Sequence, residues 1–144
     1  MQNEPPVQAN PASAVVATKS STGLDENVAS LLAYVFNWIS GLIFFLIEKN
    51  SRLVRFHAMQ SILLFGTVIV VGTVLWVVLL VLSIILGYIS SVLGSIFGLL
   101  MGLFALIYTV VIVGAWILCM VKAYQGQYFK LPVIGNFAEK FSQK

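Results

Sequence analysis

The chain has 144 residues, of which 60% are hydrophobic and 9% charged, with a formal net charge of +3. Soluble domains carry about a quarter charged residues, so this composition excludes an ordinary water-soluble globule and points to one small integral-membrane domain. The eight basic residues flank apolar runs in short segments rather than forming one polar face, so nucleic acid is not an expected partner.

Residues 1–22 hold Pro5, Pro6 and Pro11 among Gln, Asn, Ser and Ala, with no cationic start and no continuous apolar stretch. They read as a disordered polar tail and not as a signal peptide. Residues 23–121 form the transmembrane domain. Val28 to Ile47 is a run of 20 uncharged residues, the length of one spanning helix. Thr22 and Asp25 stand at capping-box spacing before it, and Asp25 and Glu26 suit the positive end of a helix.

A basic turn follows with Lys49, Arg52 and Arg55. Phe56 to Val121 then runs 66 residues without Asp, Glu, Lys or Arg, far longer than one span, so the chain must fold back inside it. The cluster of Gly87, Tyr88, Ser90, Ser91 and Gly94 marks the turn, giving spans at about 58–86 and 98–121 after the first at about 28–47. The second is long for one crossing and should tilt.

Three spans place Lys49, Arg52, Arg55, Lys122, Lys130, Lys140 and Lys144 on one face, with Lys19 alone opposite. Four spans would divide the basic residues five against three, so basic-residue asymmetry favours three. The expected architecture is an all-α, polytopic membrane bundle of three transmembrane helices. Its N-terminus lies outside and its C-terminus in the cytoplasm, in the cytoplasmic membrane of a prokaryote.

Residues 122–144 form an interfacial tail. Tyr124, Tyr128 and Phe129 suit the headgroup level, and Val133, Ile134, Phe137 and Phe141 recur at helical spacing after Pro132. A short amphipathic helix on the membrane surface is predicted.

Gly94, Gly98 and Gly102 form an unbroken four-residue repeat of small side chains, the pattern that lets helices approach closely in lipid. Packing within the chain is favoured over packing against a second copy. Ser30, Tyr34, Asn37 and Gly41 share one stripe of the first span, with Asn37 near mid-span, where its amide needs an interhelical partner. His57, Gln60 and Ser61 share a face where the second span begins. A helix-to-helix hydrogen bond is the favoured role of Asn37, and a polar lining for a substrate path is the sharper one. His57 could titrate as a pH sensor, but bonding at the interface is the commoner role of a single histidine.

Arg52 and Arg55 are candidates for contact with lipid headgroups. With one His, one Cys and no carboxylate cluster, no metal-ligand set is expected; Cys119 alone cannot form an intramolecular disulfide. No nucleophile elbow, phosphate-cradling loop or zinc-protease motif is present, so neither catalysis nor a cofactor is expected.

Several segments carry a resemblance: Thr22 to Asn27, Leu46 to Lys49, Val54 to Ser61 and Ala123 to Gly135. They resemble the small multi-pass membrane proteins related to the import component of the chloroplast inner envelope, Tic-like proteins in which the Arg-Phe-His-Ala-x-Gln core and the Gly-x-x-Tyr/Phe-x-x-Pro tail are the most specific parts. The resemblance covers nearly everything after Thr22. It implies an all-helical membrane protein and, by analogy of fold, a place near protein translocation. The leading expectation is a structural or accessory membrane protein that acts by helix packing and contact with lipids, other membrane proteins or a second copy. The alternative is a conduit for proteins or small solutes, with Asn37, His57, Gln60 and Ser61 facing a shared cavity.

Overall fold

The computed structural model describes residues 19–142, which contain five helices and no strand. They are α1 (Glu26–Val35), α2 (Asn37–Ile47), α3 (Arg52–Ile89), α4 (Ser91–Tyr124) and α5 (Ile134–Ser142). The tail expected to be disordered lies, for residues 1–18, outside the described residues. Residues 19–25 form an ordered turn, with the Ser20 amide donating to the Leu24 carbonyl at 2.8 Å and Gly23 at φ +81. The anticipated capping box does not form: Asp25 precedes α1 without a side-chain cap, and the Thr22 hydroxyl bonds Ser20 instead.

The predicted span over 28–47 is not one helix. It breaks at Phe36 and Asn37, where Asn37 adopts φ +56, a left-handed conformation that asparagine tolerates better than most residues. Ser40 supports the break. Its hydroxyl accepts from the Phe36 amide at 3.0 Å and reaches the Ala33 carbonyl at 3.1 Å, replacing helical bonds lost there.

Past the break the chain runs back. α1 lies along α4, with Asn27 beside Gly126 and the Tyr34 carbonyl accepting from Trp116 Nε1 at 3.0 Å. α2 lies antiparallel along α3: Phe45 meets Arg55, Gly41 meets Ala58 and the Asn37 carbonyl meets Ser61. The return is closed by Glu48, whose carboxylate accepts from the Ser21 amide at 2.9 Å and its hydroxyl at 2.8 Å. Residues 19–25 and 48–52 therefore sit at one end of the molecule, Lys19 and Lys49 among them, whereas the expected three-span threading separates these two lysines.

α3 and α4 form a long antiparallel hairpin turned by Ser90 alone. The connection expected over 87–97 is nearly all helical. Gly94 is what permits so tight a turn: a Cβ there would stand 2.8 Å from the Gly87 Cα. In the most apolar 18-residue window of each helix no residue is buried, so these surfaces suit hydrocarbon and not a protein core. The buried core lies at the other end, where Tyr34, Cys119 and Ala123 pack with Trp116, Met120, Phe129 and Leu131. α5 covers the start of α3 with Gly135, Ala138 and Ser142 inward and Phe137 and Phe141 outward.

Candidate functional site

The polar residues at the start of α3 converge with the segment that follows α4. That segment is shaped by its glycine. Gly126, at φ +70, ends α4 with the paired bonds of a Schellman cap: the Gln127 amide donates to the Lys122 carbonyl and the Gly126 amide to the Ala123 carbonyl, both at 3.0 Å. The cap turns the Gln127 and Phe129 carbonyls toward α3.

His57 and Gln60, three residues apart on one face of α3, take those carbonyls. His57 Nε2 donates to the Gln127 carbonyl at 3.0 Å, and Gln60 Nε2 donates to the Phe129 carbonyl at 3.1 Å. Meeting a carbonyl requires a proton on Nε2; in the neutral ring Nδ1 then accepts from the Tyr34 hydroxyl, 3.2 Å away. Gln60 also approaches Cys119 Sγ at 3.5 Å, and Ser61 donates to the Asn37 carbonyl at 2.9 Å. His57, Gln60 and Ser61 are fully buried. Gln60 Oε1 and Ser30 Oγ are the buried side-chain atoms without a partner among the described residues.

Four segments are fastened together here: α1 through Tyr34, the hairpin tip through the Asn37 carbonyl, α3 through its three polar side chains, and the tail after α4 through two carbonyls. A second knot lies at the base. Glu48 is buried and accepts from the amides of Ser21, Asn50 and Ser51 and from the Ser21 hydroxyl. Burial alone would raise its carboxyl, but the donors from Ser51, Ser21 and Asn50 outweigh it and bring the pKa down to about 2.

The candidate residues separate accordingly. His57, Gln60 and Ser61 come together as their shared face implied, but the Asn37 side chain is exposed at the hairpin tip and its contribution is a backbone carbonyl. Of the glycine repeat, Gly94 meets another backbone, while a Cβ at Gly98 or Gly102 would touch nothing within 4 Å. Arg55 is occupied within the fold, donating to the Glu48 carbonyl at 3.0 Å with its guanidinium 4.9 Å from the centre of the Phe45 ring. Arg52 stays exposed.

Sequence reasoning missed Glu48, Tyr34 as the partner of His57, and Trp116. The one available signal was Ser51, three residues after Glu48, which caps α3 by accepting from the Val54 amide at 3.3 Å.

Residues 22–138 match the magnetosome magnetite crystal formation protein family, MamF/MmsF. The UPF0132 membrane protein MJ1443 of Methanocaldococcus jannaschii is 47% identical over 125 residues, covering 87% of this chain and 96% of that protein. MJ1527 of the same organism is 34% identical, covering 83% of this chain and 71% of its own length. A UPF0132 membrane protein of Archaeoglobus fulgidus is 38% identical, covering 81% and 95%. No solved structure gives a significant match. These matches support the small-membrane-protein part of the resemblance noted above and not its link to the chloroplast import component. The chain therefore belongs to the MamF/MmsF family of UPF0132 membrane proteins.

Proposed function

We infer that this is a small structural or accessory membrane protein, in which two crossing helices stand on a locked polar base. One observation carries the reading: the polar side chains expected to line a path donate to carbonyls of the chain itself. A conduit would need Asn37, His57, Gln60 and Ser61 around a common space, and Asn37 is exposed while the other three are fully buried.

On this reading only α3 and α4 cross the bilayer. The arms of the α1–α2 hairpin, 10 and 11 residues long, reach about 16 Å each, half of a hydrocarbon core about 30 Å thick. The hairpin enters one leaflet and returns. Its non-helical tip is tolerated at that depth because the Asn37 carbonyl is bonded to Ser61 and Ser40. Lys19, Lys49, Arg52, Arg55, Lys122, Lys130 and Lys140 then share one face, which basic-residue asymmetry assigns to the cytoplasm. Both ends of the described chain lie there.

Efflux of a small dye from proteoliposomes separates the two readings. Wild type and Asn37→Gly, which keeps the left-handed backbone and removes the amide, should both leak no faster than protein-free vesicles. Efflux above that background that falls in Asn37→Gly would instead favour a conduit.

A further inference from the structure

At the cationic end, a cleft of about 230 Å³ opens between the start of α3, the tail and α5, lined by Arg52, Phe56, Tyr128, Glu139 and Ser142. Its floor is aromatic, with the Phe56 and Tyr128 rings 5.4 Å apart. Its walls differ in charge. Glu139 is neutralised by Lys130 at 2.8 Å, whereas the Arg52 guanidinium has neither a carboxylate nor a hydrogen-bond acceptor among the described residues. The Tyr128 hydroxyl likewise bonds no described residue; burial pushes its pKa up, with Glu26 raising it and Arg52 lowering it. A free guanidinium and a free hydroxyl at the mouth of one cleft suit an anionic oxygen-rich group. Phe137 and Phe141, 53% and 47% exposed, lie on the outward face of α5, turned away from the Glu139 and Ser142 wall of the cleft.

We propose that this cleft seats the phosphodiester of a phospholipid headgroup, with Arg52 and Tyr128 on the phosphate. The assignment rests on the membrane reading above and deepens it. It selects one of the two arginines: Arg55 is spent on the Glu48 carbonyl and the Phe45 ring, so headgroup contact falls to Arg52. On the membrane reading above, the cleft opens at the cationic base of the two crossing helices, level with the lipid headgroups, which favours a lipid phosphate over a soluble anion or an acidic peptide.

The test is retention of phosphatidylglycerol by the purified full-length chain in neutral-lipid nanodiscs, with diacylglycerol as the phosphate-free comparison. Wild type should retain phosphatidylglycerol over diacylglycerol. Arg52→Gln should lower that retention about fivefold, and Tyr128→Phe, which keeps the ring, should lower it as well. Lys49→Gln, an exposed cation away from the cleft, should leave it unchanged. Equal losses in Arg52→Gln and Lys49→Gln, no loss in Arg52→Gln, or release of the lipid by inorganic phosphate would each overturn the assignment. None of these outcomes alters which surface each residue faces, so the lipid site can fail while the two-crossing topology stands.

Discussion

Gly126 shows how one residue can place the chemistry of several others. At φ +70 it closes the cap that aims the Gln127 and Phe129 carbonyls at His57 and Gln60, and a Cβ there would stand 2.9 Å from Asn27 Oδ1. Gly126→Ala should therefore destabilise the protein by about 1–3 kcal/mol through backbone strain, plus whatever displacement of Asn27 costs. Thermal unfolding in detergent reads this directly, and Gly102→Ala, where a Cβ meets nothing, is the neutral comparison. Glu48 makes a second prediction. Its carboxyl titrates near 2 in the fold against an ordinary 4.5, so the folded state binds its proton less tightly than the unfolded chain. Its stabilisation is present above about pH 4.5 and is lost as pH falls toward 2. The melting temperature should fall across that interval in wild type and much less in Glu48→Gln. An equal fall in both would remove Glu48 as the cause.

Among the elements, the α1–α2 hairpin depends on close contact between α2 and α3. A Cβ at Gly41 would lie 2.9 Å from the Ala58 carbonyl oxygen and 3.1 Å from Ser61 Cβ. Gly41→Leu should force α2 away and break the bond from Ser61 to the Asn37 carbonyl, costing several kcal/mol. Asn37→Gly should keep the hairpin, because only the left-handed backbone is needed there. Resistance of the 36–48 segment to proteolysis in detergent distinguishes the two variants. This element was the least legible in the sequence. Residues 28–47 are uniformly apolar, and nothing local in Phe36-Asn37 demands a break; the partners that support it, Ser40 and Ser61, matter only once α2 has turned back. The face shared by His57, Gln60 and Ser61 could be read from spacing alone, because it needs only the helical period. Their acceptors could not, being backbone carbonyls on a segment 69 or 70 residues away for Gln60 and His57. The glycine repeat was equally ambiguous, since spacing marks a small-residue stripe without saying which member meets a backbone.

For the whole molecule, helix length and charge placement both act on the question of how often the chain crosses. α3 and α4, with 38 and 34 residues, measure about 57 and 51 Å, longer than a hydrocarbon core of about 30 Å. They must tilt, or extend into the headgroup layers at the polar base. The grouping of Lys49, Arg52 and Arg55 with Lys122, Lys130 and Lys140 was legible from charge, and the fold keeps it; Lys144 lies outside the described residues. Lys19 was assigned to the opposite face because an apolar run of spanning length was counted as a crossing, and length cannot distinguish a span from a hairpin that returns to its starting side. The Ser21–Glu48 contact supports the returning hairpin proposed above. Labelling of single cysteines in intact membranes, with Cys119→Ser as background, tests it most directly. Lys19→Cys, Lys49→Cys and Lys130→Cys should react with an impermeant thiol reagent from one surface, and Ser90→Cys from the other. Reaction of positions 19 and 49 from opposite surfaces would show that residues 26–47 cross the bilayer, and would contradict the returning hairpin.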